Sequence, residues 1–314
     1  MSDFRHVPVM LQEVIEGLQI KPEGRYLDCT LGGGGHSAEI LKRLQGGKLY
    51  AVDKDQDALN YAKNRLGNRP TFIHSDFKDA IASWDEEGLD GILMDLGVSS
   101  YQLDTPERGF SYRFDAPLDM RMDMGSALTA STVVNEYSQK QLTDILFKYG
   151  EEPFAKKIAA NIVKERELAP IKTTLELVRI IEKSIPPKVR FSGSHPAKRV
   201  FQAIRIEVNG ELSGLYEAVL GAIKLLKTGG RIAVITFHSL EDRIVKQAFK
   251  YAELDCICPP RSPICTCDKV SEIEIITKKP ILPSETEMEQ NPRSKSAKLR
   301  IAQKKEYIKK ERLQ

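Results

Sequence analysis

Apolar and polar positions switch between two periods along the first hundred residues. "RYLDCT" (25–30), "KLYAVDKD" (48–55), "TFIHSDF" (71–77) and "LDGILMDLGVSS" (89–100) are short apolar runs that end in acidic or small polar residues, the pattern of buried strands. Between them, "SAEILKRL" (37–44) and "DALNYAKNRL" (57–66) repeat apolar residues at helical spacing, the second with Leu59, Ala62 and Leu66 on one side. Strand–helix repeats of this length predict an α/β fold with a parallel, doubly wound sheet, which binds ligands at the carboxyl ends of its strands. Asp28, Asp53, Asp76 and Asp95 all fall at such ends. Far along the chain, "AIKLLKTGGRIAVITFHS" (222–239) predicts a helix, a Gly-Gly turn and a fifth strand, and "EIEIITKKPIL" and "AKLRIAQK" are two late β-rich segments.

The middle of the chain breaks this rhythm and reads as helices. Leu142, Ile145, Leu146 and Tyr149 fall at helical spacing, with Gly150 as a stop. Pro153 opens a next helix with Ala155, Ile158, Ala159 and Ile162 on one face. Thr173 and Glu176 form a capping box before "LELVRIIEKSI", which Pro186 and Pro187 end. The expected organisation is a sheet domain begun over 1–104, an inserted all-helical domain over 105–210 covering the ligand cleft, the rest of the sheet over 211–302, and a basic tail over 303–314.

Composition narrows the class. The 314 residues are 41% hydrophobic, enough for a sizeable core, and 47 Lys plus Arg against 44 Asp plus Glu leave overall charge uninformative about partners. No apolar run approaches the roughly 20 residues of a membrane span, and "MSDFRHVPVMLQEV" lacks the order of a signal peptide. A cytoplasmic protein with no membrane partner is expected, and five cysteines, an odd number, fit no disulfide framework. Basic charge is local: Lys188, Arg190, Lys198, Arg199 and Arg205 stand against one acid, Glu207, and the segment from Arg293 to Gln314 holds nine Lys/Arg and two Glu. Both stretches suit phosphate contacts. A solvated tail, and domain-tying roles for Arg199 and Arg205, are the alternatives.

The stretch "DCTLGGGGHSAEIL" (28–41) carries the chemistry. A strand, a glycine turn and a helix N-terminus present free N–H groups to a ligand. Glycine also permits positive φ and close approach. The dinucleotide spacing G-x-G-x-x-G fails from Gly32, where Ser37 takes the third place, and holds from Gly33 only in the looser form ending at Ala38. Asp53, 19 residues beyond Gly34, is placed to accept hydrogen bonds from ribose hydroxyls. A nucleoside ligand is expected, either NAD or S-adenosylmethionine, with a merely structural turn as the alternative.

"D-x-T-x-G-x-G" (28–34), Asp53, "SDF" (75–77) and "LMDLGVSS" (93–100) resemble the motifs of Rossmann-like class I methyltransferases, whose sheet ends in a reversed pair of strands. The blocks "HVPVM" (6–10), "TLGGGGHS" (30–37), "MDLGVSSYQLD" (94–104), "RGFSYRFDAPLDMRMD" (108–123), "YGEEPFAKKIA" (149–159), "HPAKRVFQAIRIEVNGEL" (195–212), "GGRIAVITFHSLEDRIVK" (229–246) and "NPRSKSAKLRIA" (291–302) occur in this order. Together they resemble the bacterial small-subunit ribosomal RNA methyltransferase H family, also called MraW. The resemblance implies S-adenosyl-L-methionine as cofactor and 16S rRNA of the small ribosomal subunit as partner. The implied reaction is methylation of the exocyclic N4 of a cytidine in the decoding centre. It also implies cofactor contacts at Gly34, Gly35 and His36 with the methionine end, Asp53 with the ribose, Phe77 beside the adenine, and Asp95 and Gln102 after the fourth strand. His36 as an ordinary helix N-terminal residue and Phe77 as plain core are the competing readings.

Many amino-methyltransferases carry Asp/Asn-Pro-Pro-aromatic after the fourth strand, where this chain has "DLGV" (95–98), so the catalytic group is not identified by motif. Asp95, Ser99 (with Ser100), Asp119 and His238 are the candidates, with an Asp119–Arg121 salt bridge the plainer reading of that pair. Cytosine N4 transfer requires no cysteine attack on the ring, and the cysteines agree: Cys29 belongs to a strand. Cys256, Cys258, Cys265 and Cys267 form C-x-C, six residues, C-x-C. Free thiols in a Pro-rich loop, and no metal, are expected there, with structural zinc as the alternative. Two other function classes stay open: a nucleotide-dependent oxidoreductase using the same glycine loop, and a non-catalytic RNA-binding assembly factor.

Overall fold

A computed structural model describes residues 8–190, 195–260, 262 and 265–306. Along the chain come α1 (Leu11–Leu18), β1 (Arg25–Asp28), α2 (Gly35–Arg43), β2 (Lys48–Asp53), α3 (Gln56–Leu66), β3 (Thr71–His74), α4 (Phe77–Ala82) and β4 (Leu89–Asp95). Helices follow: α5 (Ser100–Asp104), α6 (Ala130–Glu136), α7 (Gln139–Gly150), α8 (Ala155–Leu168), α9 (Thr174–Ser184), α10 (Pro187–Arg190) and α11 (Ala197–Asn209). Then come α12 (Leu215–Leu225), β5 (Leu226–Thr236), α13 (Ser239–Glu253), β6 (Ile273–Ile275), α14 (Glu285–Gln290) and β7 (Lys298–Lys304). No helix among the described residues is long and apolar enough to cross a membrane.

The chain divides into two compact units, one of Met1–Gly97 with Leu212–Gln314, the other of Val98–Glu211. The second unit begins earlier than the expected 105, because Val98 and Leu103 already pack on its core. The expected tail also starts too early at 303, since Gln303 and Lys304 pair in β7. Residues 307–314, the rest of that segment, lie outside the described residues.

The sheet of the first unit has strand order β3-β2-β1-β4-β5-β7-β6. Strands β1 to β5 pair in parallel, and β7 runs antiparallel to both β5 and β6. This is the expected α/β, Rossmann-like sheet with its reversed last pair. Its central strand β4 is buried through Ile92, Leu93 and Met94, as a strand covered on both faces must be. Strand order reverses between β1 and β4, so the ends of those strands, Asp28 and Asp95, flank the place where such sheets bind ligands.

Two local patterns differ from the expectation. The segment after β3 turns into α4, with Asp76 as its N-cap accepting from the Lys78 N–H at 3.0 Å. The Gly-Gly of residues 229–230 is no turn between helix and strand. Pairing passes from Leu89↔Leu226 to Gly91↔Arg231, so four residues of β5 stand opposite a single residue of β4, an excess of three that bulges, with Gly229 at φ 78°.

In the second unit the helical spacings place buried faces as the pattern predicts. Leu142, Leu146, Ile158, Ile162, Leu177, Ile181, Val200 and Ile204 share one core. Thr173 and Glu176 form the reciprocal capping box at the start of α9. α7 ends at Gly150 as expected, but the left-handed conformation that terminates it falls on Glu151, at φ 48°, and not on the glycine. Gly150 is instead where α7 meets α11: a Cβ there would lie 2.8 Å from the Arg199 carbonyl oxygen.

Gly150→Ala therefore sets two effects against each other. Helix propensity favours alanine by up to about 1 kcal/mol. The clash is with backbone and cannot be relieved by a rotamer change, so overpacking of about 1–3 kcal/mol prevails. The variant is expected to unfold at lower urea than the parent, and an equal or higher midpoint would contradict the helix contact.

Candidate functional site

The candidate site of the first unit is built on the end of β1. Asp28 is 1% exposed. Its Oδ1 accepts the Thr30 N–H at 3.1 Å and its Oδ2 accepts the Ser37 hydroxyl at 2.7 Å. The Thr30 Oγ1 in turn accepts the Asp95 N–H at 2.6 Å, which fastens the loop to the end of β4. Thr30 and Ser37 were not singled out by the sequence, although both lie within its glycine motif.

The turn itself needs glycine at Gly34, which sits at φ 70° as the N-cap of α2. A Cβ there would meet Leu66 at 3.0 Å and Ala62 at 3.4 Å, so both its φ and the packing of α3 favour a bare residue here. The first turn of α2 leaves N–H groups without helical partners, as every helix start does. Next door, the Asp53 Oδ2 accepts the Gly32 N–H at 2.7 Å and Oδ1 the Asp55 N–H at 2.9 Å. Each oxygen retains a further lone pair for a hydroxyl donor.

His36 is buried in α2, where its Nε2 lies 3.0 Å from the Val9 carbonyl. A carbonyl only accepts, so Nε2 carries the hydrogen. Its Nδ1 faces the Asp95 Oδ2 at 3.6 Å. The Asp95 Oδ1 is sealed from solvent with no hydrogen-bond partner. Phe77 opens α4, partly buried, with its ring against the sheet core and the Lys78 ammonium 6.0 Å from its centroid.

Burial sets the electrostatics. It pushes Asp28 up to about 6 against the hydrogen bonds of Ser37 and Thr30, and Asp53 adds to the rise. Burial likewise pushes Asp53 up to about 6, opposed by the Asp55 and Gly32 N–H groups. Asp95 is raised well above the carboxylate range, first by burial and then by the charges of Asp28 and Glu241. Such a site favours a ligand that brings positive charge or hydrogen-bond donors to the strand ends.

The other candidates are occupied by structural contacts. Asp119 holds Arg121 through both oxygens, at 2.9 and 2.8 Å. Burial raises its pKa, but Arg121 prevails and holds the carboxyl below the usual range. Ser99 and Gln102 form the capping box of α5 in the second unit. His238 caps α13, its Nδ1 accepting the Glu241 N–H at 3.4 Å. The His238 Nε2 is 3.1 Å from Glu241 Oε1 but out of hydrogen-bonding alignment.

The basic residues separate by partner. Arg205 is tied to Glu211 by two bonds of 2.8 Å within the second unit. Arg190 donates to the Ile185 carbonyl at 3.1 Å. Lys188, Lys198 and Arg199 are exposed, and Arg199 also donates to the Glu151 carbonyl at 3.5 Å. Residues 191–194 of this stretch lie outside the described residues. In the C-terminal segment, Arg300 is 6% exposed and pairs with Asp242 at 2.7 Å.

Residues 3–305 match the family model described as the MraW methylase family. A ribosomal RNA small subunit methyltransferase H of Clostridioides difficile is 55% identical over 96% of this chain and 99% of its own length. Its namesake from Brevibacillus brevis is 52% identical over 96% of this chain and 98% of its own. A solved SAM-dependent O-methyltransferase from Thermotoga maritima is 13% identical with a TM-score of 0.41, covering 99% of this chain and 71% of that one, a likeness that adds nothing to the strand order.

The raised pKa of Asp28 has a stability consequence. The folded state holds that proton more tightly than the unfolded chain, whose value is 3.8, so the native state loses stability as pH rises through about 6. Asp28→Asn mimics the protonated form. Its stability relative to the parent is expected to climb between about pH 4 and pH 7, by up to roughly 3 kcal/mol. Urea unfolding of both proteins across that range tests this, and a constant difference would refute it.

Proposed function

The chain belongs to the MraW methylase family, and from that premise we propose that it methylates the exocyclic N4 of a cytidine in the decoding centre of 16S rRNA, with S-adenosylmethionine as methyl donor. The near-full-length match to proteins named ribosomal RNA small subunit methyltransferase H carries this reading. A substrate on the small ribosomal subunit places the reaction in the cytoplasm.

The strand-end residues fit the cofactor. Of the two N–H groups expected to meet its carboxylate, Gly34 already donates to the Leu31 carbonyl at 2.8 Å, which leaves that of Gly35 at the opening of α2. Asp53 retains lone pairs for ribose hydroxyls, and Phe77 offers an apolar edge for adenine. The orphaned Asp95 oxygen suits the ammonium of the methionine end, and that charge favours the ionised carboxylate against burial. When bound, S-adenosylmethionine supplies an electrophilic methyl group. The protein's own work is positional, because the N4 lone pair is delocalised into the cytosine ring and reacts only when held in line. The transfer also releases one N4 proton, which needs an acceptor. Asp119, Ser99 and His238 are tied into an ion pair and two caps. Asp95 keeps an open oxygen, which this reading gives to the cofactor ammonium, so the acceptor of the N4 proton is left unassigned among the candidates. The exposed cations Lys188, Lys198 and Arg199 supply phosphate contacts that hold the RNA around an unstacked base. Arg205, engaged by Glu211, falls outside that set.

Labelled-methyl transfer to small subunits from cells lacking this protein, followed by nucleoside analysis, is expected to yield N4-methylcytidine. RNA binding without incorporation would instead support a non-catalytic assembly factor. Stabilisation by NAD rather than S-adenosylhomocysteine would support an oxidoreductase.

Asp53→Ala is expected to weaken S-adenosylmethionine binding by about 1.5–3 kcal/mol, the scale of hydrogen bonds to a charged group. Unchanged affinity by calorimetry would remove Asp53 from the site.

Lys198→Ala with Arg199→Ala should leave cofactor affinity intact and reduce the salt dependence of RNA binding, the slope falling by up to about 2 for two lost phosphate contacts. Equal activity of parent and double variant at every salt concentration would eliminate this RNA surface.

A further inference from the structure

Residues 254–272 join α13 to β6 without helix or strand among the described residues. Such a segment needs something to order it, and apolar burial does not: Leu254 and Ile257 are exposed, at 46% and 51%. What the segment brings together is sulfur. The ligand atoms of Cys256, Cys258, Cys265 and Cys267 all lie within 4.8 Å of one another. The Cys256–Cys265 Sγ separation is 3.5 Å, Cys265–Cys267 3.6 Å, Cys256–Cys267 3.7 Å and Cys258–Cys265 3.9 Å.

These distances select one chemistry. A tetrahedron of thiolates about 2.3 Å from a central zinc has edges of about 3.8 Å. A disulfide places its two sulfurs at about 2.05 Å, in isolated pairs. Here Cys265 Sγ is near all three others, which pairwise bonding does not produce. The backbone agrees: the Ile257 N–H points to Cys267 Sγ at 3.3 Å, Cys258 N–H to Cys256 Sγ at 3.4 Å, and Thr266 N–H to Cys258 Sγ at 3.3 Å. Amides turned onto sulfur are the outer partners that orient and stabilise metal-bound thiolates.

We propose that Cys256, Cys258, Cys265 and Cys267 form a closed four-thiolate site for Zn²⁺ that orders the segment between α13 and β6. With four protein ligands it has no open coordination position, so its role is structural rather than catalytic. The metal takes the place of a core: closing the loop through four sulfurs holds a segment in which none of the described residues is fully buried. The base of the segment is already pinned, with the Lys269 ammonium 5.1 Å from the Tyr251 ring centroid and 3.3 Å from Glu272. The unusual C-x-C pairs are accommodated because the two arms face each other, each contributing two sulfurs.

The inference stands independently of the methyl-transfer reading. Full-length protein purified without chelators is expected to contain one zinc per chain. After removal of the metal under reducing conditions, Co²⁺ should give thiolate charge-transfer bands and tetrahedral d–d absorption that saturate at one equivalent and vanish on adding zinc. Cys258→Ser with Cys265→Ser should lose both signals, whereas Cys29→Ser, in buried β1-side core, should retain full stoichiometry. If the double variant does not fold, the wild-type cobalt titration decides alone. Four thiols that react freely with a thiol reagent in the presence of excess zinc, a cobalt spectrum without thiolate bands, or a mass deficit corresponding to two disulfides in freshly purified protein would each overturn the site.

Discussion

One carboxyl group organises the strand-end region. Asp28 receives the loop that leaves β1 through Thr30 and the helix that follows through Ser37. Thr30 then fastens the same loop to β4 through the Asp95 amide. Four consecutive glycines have high conformational entropy in the unfolded chain, and local preference alone would not hold them in one arrangement. A buried acceptor with both oxygens occupied does so. The arrangement leaves three acids, Asp28, Asp53 and Asp95, near one another in low-dielectric surroundings, and their raised proton affinities are the electrostatic result.

The fold was legible wherever one period dominated. Strands β1, β2 and β4 ended at acids as their apolar runs implied, whereas β3 stopped at His74 and left Asp76 to cap α4, and the faces of α7 and α8 followed from spacing. What escaped was set by contacts remote in sequence. Gly150 reads only as a helix stop until Arg199 is found against it. The pair of glycines at 229–230 reads as a turn, because the bulge exists only relative to the residues of β4. Helix α4 is a short turn behind a strand-like run, too brief for a period to register.

At the site, residue type was legible and occupancy was not. Nothing in the sequence tells a free arginine from a committed one. Arg121 is next but one to its partner Asp119, Arg205 is six residues from Glu211, and Arg300 is 58 residues from Asp242. The same holds for acids and histidines: Asp95 has a buried oxygen without a hydrogen-bond partner, His238 caps α13 through Nδ1 yet keeps a buried Nε2 without one, and Ser99 serves a helix start. The candidate set therefore contracts through three-dimensional pairing rather than through chemistry of the side chain.

The strand order carries a consequence for synthesis. β7 lies between β5 and β6, yet among the described strands it is the last to be made. During translation β6 emerges before the neighbour it pairs with, and one edge of β5 stays uncovered until residues 298–304 are free. An uncovered edge is a template for pairing with other chains. A nascent polypeptide of this design therefore passes through an interval of exposure that closes only when residues 298–304 have emerged and inserted between β5 and β6.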